Sequence, residues 1–302
     1  MQRQKSYQSN NAKLYLVATP IGNLKDFTYR AVETLQSVEV CFAEDTRVTK
    51  VLFDHYGIRT RLECYQEYNK ETQYKAVINY LSKGVDVALV SDAGMPIISD
   101  PGYFVAKEAM KQGYDVIPIP GASASLSALI VSGISPQPFT FYGFLDSKSS
   151  KRKKELNSLK EHKETIIFYE APHRIKEMLS DLLEVFGDRE IALAREITKK
   201  FEEIVRGNIS EVLEICDTLK GEMVVVCSGY VEDTNKYNDV DPIDQVDELI
   251  LAGMIKNEAI KVVAKRLGIT KQELYKEYSE KKSWIIYLLL VSLVYNTLVK
   301  IK

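Results

Sequence analysis

Along its first 135 residues the chain keeps switching between two hydrophobic periods, and this alternation limits its fold more than any other feature. "LYLVAT" (14–19), "VEVCFA" (38–43), "VDVALV" (85–90) and "YDVIPIPG" (114–121) are nearly continuous apolar runs, as strands buried on both faces are. "LECYQ" (62–66) is a shorter strand candidate. Helical spacing fills the gaps: "DFTYRAVETLQ" (26–36) with Asp26 as N-cap, "TKVLFDHYG" stopping at Gly57, and segments near 70–83, 103–112 and 122–132. Strands joined by helices predict a mostly parallel sheet covered on both faces.

A second series begins near Phe139. "FTFYGFL", "ETIIFYEA", "REIALARE", "FEEIVRG" and "EMVVVCSGY" read as strands, with helices near 151–161, 172–186 and 209–219. Five strands with fewer helices predict a mixed sheet. The expected organisation is a disordered N-terminus (1–13), an N-terminal α/β domain (14–135), a C-terminal α/β domain (136–232) and a small helical domain (241–280). "SGISPQP" (132–138) is the boundary between the sheets, and the polar "VEDTNKYNDVDP" (231–242) is a linker. "DQVDELILAGM", "KNEAIKVVAKRLG" and "TKQELYKEY" give three amphipathic helices; the turn at Gly268 fits either a helix-turn-helix or a plain accessory bundle. The apolar run "WIIYLLLVSLVYNTLV" (284–299) falls short of the ~20 residues of a spanning helix. It reads as a packed last helix, with a membrane or partner anchor, or a non-native tail, as alternatives.

Composition narrows the function. Net charge is -2, so the chain has no general basic coat and any nucleic-acid contact must come from local patches. The four cysteines never form C-x-x-C, and Cys41 and Cys227 sit in strand-like runs as buried thiols, in keeping with a reducing, cytoplasmic compartment. The polar N-terminus has no signal-peptide character. Glycine-rich nucleotide cradles and a G-x-S-x-G elbow are absent, and His55, His162 and His173 lack metal spacing, so no metal is expected.

What remains is a set of loops at the carboxyl ends of strands, where open α/β sheets bind ligands. They are "TPIGNL" (19–24), "AEDTR" (43–47), "SDAGMPIISDPG" (91–102) and "PGASAS" (120–125). Gly22, Gly94, Gly102 and Gly121 let backbone approach a ligand, and Pro20, Pro96, Pro101 and Pro120 stiffen the loops. Acidic residues without a phosphate-binding lysine suit a ligand bearing cationic or hydroxyl groups.

"LYLVATPIGNLKDFTYRA", "AEDTR", "VALVSDAGMPIISDPG", "PIPGASA" and "FYEAPHR", in this order and spacing, resemble the ribosomal RNA small-subunit methyltransferase I family, within the tetrapyrrole-methylase-like superfamily. The resemblance runs from about Leu14 to Tyr278. It departs at Met95, where the family more usually has Thr, and in the apolar tail after Lys282. It implies a class III methyltransferase fold: two α/β domains with S-adenosylmethionine in the cleft between them, plus a C-terminal helical region. It also implies a homodimer that methylates the 2'-hydroxyl of a cytidine ribose in the decoding region of 16S rRNA, with small-subunit RNA rather than DNA as partner. A tetrapyrrole C-methyltransferase and a non-catalytic RNA-binding module are the competing readings.

On the resemblance, the cofactor contacts are Pro20, Ile21 and Gly22 in the first loop; Asp92, Ala93, Gly94, Met95, Ile97 and Asp100 in the third; Gly121, Ser123 and Ala124 in the fourth; and Tyr169, Ala171 and Ala194 in the second domain. Asp92 and Asp100 serve equally as loop-capping Asx turns, and Tyr169 as sheet core. A ribose hydroxyl is weakly acidic, so methylation calls for a base or an oxyanion partner. Glu44 or Asp45 is expected to orient the ribose and Arg47 to grip a phosphate; the alternative is an Asp–Arg pair closing a helix start. "KSSKRKK" (148–154) holds five basic residues in seven. Lys148, Lys151, Arg152, Lys153 and Lys154 are therefore expected in an RNA-binding loop, joined by Lys50, His173, Arg174 and Arg195. A solvated face is the alternative.

Overall fold

The computed structural model describes residues 3–65, 70–231 and 240–284. Five parallel strands form the first sheet, in the order β3-β2-β4-β1-β5. They are β1 (Lys13–Val17), β2 (Val40–Ala43), β3 (Arg61–Cys64), β4 (Val87–Val90) and β5 (Asp115–Ile119). Every residue of β2 and β4 is buried, as expected of central strands covered on both faces. β5 is an edge strand, which is where Pro118 is tolerated in a sheet.

Two cores cover this sheet. One packs Phe27, Leu35, Phe53 and Ile58 against Val17, Cys41 and Ala88; the other packs Val77, Leu81, Val105 and Ala109 against Leu14, Phe42 and Leu89. The helices supplying them are α1 (Tyr29–Ser37), α2 (Thr46–Tyr56), α3 (Lys70–Ser82) and α4 (Tyr103–Lys111). α1 starts later than its periodicity predicts. Thr28, not Asp26, is the N-cap, its hydroxyl accepting from Ala31 N at 3.1 Å, while Asp26 closes a 3-10 turn capped by Asn23. α2 ends at Gly57 in the left-handed conformation (φ +67°).

The second sheet runs β6-β7-β10-β8-β9, with β6 (Phe139–Phe144), β7 (Thr165–Glu170), β8 (Glu190–Arg195), β9 (Glu203–Asn208) and β10 (Met223–Cys227). Only the β6–β7 pair is parallel, so the sheet is mixed as expected. One face is covered by α6 (Ser149–Leu159), α7 (Ile175–Phe186) and α8 (Ile209–Ile215). The other is covered by α5 (Ala124–Val131), which precedes the 132–138 segment along the chain. Its Ala128 and Leu129 pack on Ile167, Ala192 and Val224. Met1–Tyr230 therefore form one compact unit containing both sheets.

The N-terminal segment, expected to be disordered, runs beside β5. The Gln4 amide exchanges two hydrogen bonds with the Val116 backbone (3.1 and 3.2 Å), satisfying part of an otherwise unpaired sheet edge.

The second unit has its own core. α9 (Pro242–Leu251), α10 (Lys256–Leu267) and α11 (271–284) bury Ile243, Val246, Ile260, Val263 and Leu274, and the Tyr278 hydroxyl donates to Asp247 at 2.6 Å. These are the three helices expected from the sequence. Most of the linker and the tail beyond Trp284 lie outside the described residues. Among the described residues no helix is long and apolar enough to cross a membrane.

Candidate active site

The four strand-end loops of the first sheet converge. β1 leaves its sheet at Val17, and Thr19 then pairs with Gly94 as an antiparallel bridge (N–O 2.9 and 3.1 Å). The Thr19 hydroxyl also donates to the Ser91 carbonyl at 3.1 Å, so the first and third loops are joined by side chain and backbone. Gly94 has φ +79°, and a Cβ there would lie 3.3 Å from Ile21 Cγ2. Ile97 and Ser99 are left-handed as well (φ +78° and +63°). A β-branched residue in that region is strained, and such strain concentrates at binding sites.

Above these loops lies a cavity of about 350 Å³. Its first-sheet wall is Ile21, Ala93, Gly94, Met95, Ile98, Ser99 and Asp100, with Ser123 and Ala124 at the start of α5. The second sheet supplies Phe144, Tyr169, Glu170, Ala171, Ala194 and Glu222. The Tyr169 hydroxyl accepts from Ser125 N at 3.1 Å, and its ring meets Phe141 and Phe144 edge-on. Tyr169 is thus both cavity wall and packing partner. A second cavity of about 400 Å³ adjoins the first, sharing Ile21, Ala93 and Glu222; Pro20, Gly22 and Asp92 line it. Of the expected cofactor residues, Ile97 and Gly121 line neither cavity. Ile97 packs into the first sheet's core, and Gly121 is needed because a Cβ there would lie 2.7 Å from Ala18 Cβ.

The acidic residues have separate duties. Asp45 is the N-cap of α2 and accepts from Arg47 through both backbone and side chain (2.6–3.2 Å). Those bonds hold its carboxyl down to about 2. This is the Asp–Arg pair closing a helix start. Asp92 accepts from Asp45 N at 3.0 Å, an interloop bond rather than an Asx turn. Burial, followed by the charges of Asp92 and Asp45, raises Glu44. Burial also lifts Asp100 to about 6, with the Glu44 and Asp92 charges adding and a Ser91 hydrogen bond opposing. Glu170 is buried, accepts from Ala171 N at 2.9 Å and pairs with Arg174 at 3.2 Å; burial raises its carboxyl, and Oε2 has no hydrogen-bond partner among the described residues.

Lys199 was not foreseen. It lines the second cavity, its ammonium sits between Glu196 and Glu222 at 3.0 Å each, and its stem lies so close over Gly22 that a Cβ there would come within 2.4 Å of Lys199 Cγ. The sequence signal is weak, because Lys199 falls between the strands read at "REIALARE" and "FEEIVRG" and belongs to no motif. Ile98 and Ser99 lie inside a loop already singled out, and Glu170 inside "FYEAPHR"; Phe144, Ile197 and Glu222 have no distinguishing pattern.

The basic run requires correction. It is not a loop but α6, and its counter-charges come from α7 and from Asp146. Arg152 is 1% exposed, with Nε on Asp181 at 2.7 Å and Nη1 on the Ser147 carbonyl at 3.2 Å, so it is a structural residue that RNA cannot reach. Lys153 pairs with Asp181 and Glu184, and Lys151 with Asp146. Arg174 turns inward to Glu170 and the Leu145 carbonyl, and Arg195 pairs with Glu203. Lys148, Lys154 and His173 are exposed, and Lys50 pairs with Asp54 on the surface.

Residues 13–213 match the family model described as Tetrapyrrole (Corrin/Porphyrin) Methylases. The chain is 48% identical over 291 residues to "Ribosomal RNA small subunit methyltransferase I" of Bacillus subtilis (strain 168), covering 93% of this chain and 100% of that protein. It belongs to this methyltransferase family. A relative of the same name from Mesorhizobium japonicum is 44% identical over 273 residues, covering 89% of this chain and 92% of its own length. Among solved structures, a cobalt precorrin-4 methyltransferase of cobalamin biosynthesis (TM-score 0.56, 18% identity, 72% of this chain and 94% of that one) shares the fold. So does the uroporphyrin-III-C-methyltransferase of Thermus thermophilus (TM-score 0.53, 18% identity, the same coverages). Met95 forms cavity wall here and contributes a thioether.

Proposed function

We propose that the protein transfers a methyl group from S-adenosylmethionine to the 2'-hydroxyl of a cytidine ribose in the decoding region of small-subunit rRNA. The observation carrying this reading is that four of the five stretches matching the family's motifs line one adjoining pair of cavities at the strand ends, while "AEDTR" lines neither and leads into the α2 residues that do. The relatives that match nearly the whole chain bear a small-subunit ribosomal RNA methyltransferase name.

The larger-walled cavity fits the donor. Its volume is within the range of small-ligand sites, Met95, Ile98, Tyr169 and Ala194 give it apolar walls, and Asp100 and Glu170 put carboxylates beside them. The unpartnered oxygen of Glu170 is a buried acceptor suited to a ligand N–H. S-adenosylmethionine, when bound, supplies an electrophilic methyl group on a sulfonium. The protein's own work is positioning and proton removal. Asp45 is committed to Arg47 and the α2 terminus, which leaves Glu44 as the residue of that motif able to take the ribose hydroxyl proton. Lys50, Lys148, Lys154 and His173 are the exposed cations and imidazole for RNA phosphates. A homodimer acting in the cytoplasm completes the reading.

The test is tritiated methyl incorporation into small ribosomal subunits, followed by nucleoside analysis. The expected product is 2'-O-methylcytidine. A base-methylated nucleoside, or labelling of a tetrapyrrole in place of RNA, would refute it.

A further inference from the structure

The second cavity has a wall that the fold does not require. Val48 and Val51 of α2 are 47% and 67% exposed, and Leu24 beside them 37%, yet all three line it. Lys199 also lines it, its ammonium already paired with Glu196 and Glu222, so it offers the cavity mainly a methylene stem. The cavity therefore has two apolar sides, with the carboxylates of Asp92 and Glu222 in its remaining lining, and it meets the first cavity at Ile21, Ala93 and Glu222.

The same helix carries charge next to this wall. Arg47 is one turn from both Lys50 and Val51, so on the exposed face of α2 a cationic edge borders an apolar edge. The Arg47 side chain is 89% exposed, so the guanidinium N–H groups that Asp45 does not use are open to an incoming anion. An apolar slot flanked by solvent-facing cations matches one nucleotide of a single strand: base or sugar face against aliphatic side chains, phosphates on the cations.

We infer that this second cavity is the acceptor subsite, in which Leu24, Val48 and Val51 grip the target nucleoside while Arg47 and Lys50 hold its flanking phosphates. The inference rests on the RNA-methylation reading and adds to it the place where the RNA enters. Charge complementarity and continuity with the first cavity select this occupant over a second protein chain.

The experiment compares wild type with Val48→Asp and Val51→Asp. Each is measured for methyl transfer to small subunits, cofactor affinity by calorimetry and melting temperature. An acid on this wall repels phosphate and removes an apolar contact, so kcat/KM for the subunit should fall by about tenfold or more. Cofactor affinity and melting temperature should hold. Wild-type kcat/KM in both aspartate variants would overturn the inference. So would a parallel loss of cofactor affinity, which would assign the cavity to the donor. Wild-type protein that binds the cofactor but methylates no subunit RNA would fail earlier, overturning the functional reading and this subsite with it.

Discussion

One carboxylate oxygen of Asp92 accepts the backbone N–H of Asp45 at 3.0 Å, tying together two strand-end loops 47 positions apart in the chain. Asp45 in turn caps α2 and holds Arg47. A single acceptor thus fixes the approach of the third loop to the second, and with it the edge of the second cavity.

Asp92→Ala should leave Asp45 N–H without its partner and loosen both loops. Because the site is partly wet, the expected cost is about 1 kcal/mol of stability, together with weaker cofactor binding. Asp92→Asn keeps an acceptor oxygen and should restore most of the stability. Calorimetric titration and thermal melts check this; unchanged cofactor affinity in the alanine variant contradicts it.

Tyr169→Phe removes the acceptor for Ser125 N while keeping the ring against Phe141 and Phe144. The start of α5 should lose about 1 kcal/mol of support, and hydrogen exchange at Ser125 should rise. An unchanged exchange rate there would show the hydroxyl to be dispensable.

Asp100 sits at about 6, above the ordinary carboxylate range, through burial and the charges of Glu44 and Asp92. The fold therefore favours its protonated form. Its ionisation subtracts stability as pH rises from the unfolded-state value through about 6, and the full penalty is present above that. Asp100→Asn should raise the melting temperature at pH 7.5 and lose that advantage by pH 4. If Asp100 accepts from the cofactor as a carboxylate, wild-type cofactor affinity should fall below pH 6, with the asparagine variant flat over the same range. Parallel pH profiles in the two proteins would remove Asp100 from the cofactor site.

Arg152 and Lys154 lie in one basic run but should behave oppositely. Arg152→Ala removes the buried partner of Asp181, leaving it the Ser149 hydroxyl and Lys153, and should cost about 3 kcal/mol. Lys148→Ala with Lys154→Ala should leave the melting temperature alone and reduce the affinity and salt dependence of RNA binding. Thermal melts and RNA titrations at two salt concentrations distinguish them. A stable Arg152→Ala protein would restore that residue to the surface role expected from the sequence.

Much of the architecture was already legible in the chain, because buried parallel strands need continuous apolar runs and their helices need a 3.6-residue stripe. "VALV" and "VVVC" leave few alternatives, and glycine and proline at the strand ends mark loops shaped for more than turning. The motifs in those loops also carried the family resemblance. The sequence could not show which polar side chains those loops would use up. A run with no acid inside it looks like a free cationic loop, yet α7 brings Asp181 and Glu184 across to it, because helices packed on one sheet face place residues some 30 positions apart in contact. Gly22 looked like a cradle for ligand, but Lys199 fills that space from the far sheet. α5 precedes the boundary between the sheets in sequence and still packs on the second one. Periodicity and turn chemistry are local and can be read along the chain; charge pairing and cavity shape depend on distances that exist only once the two sheets have closed on each other.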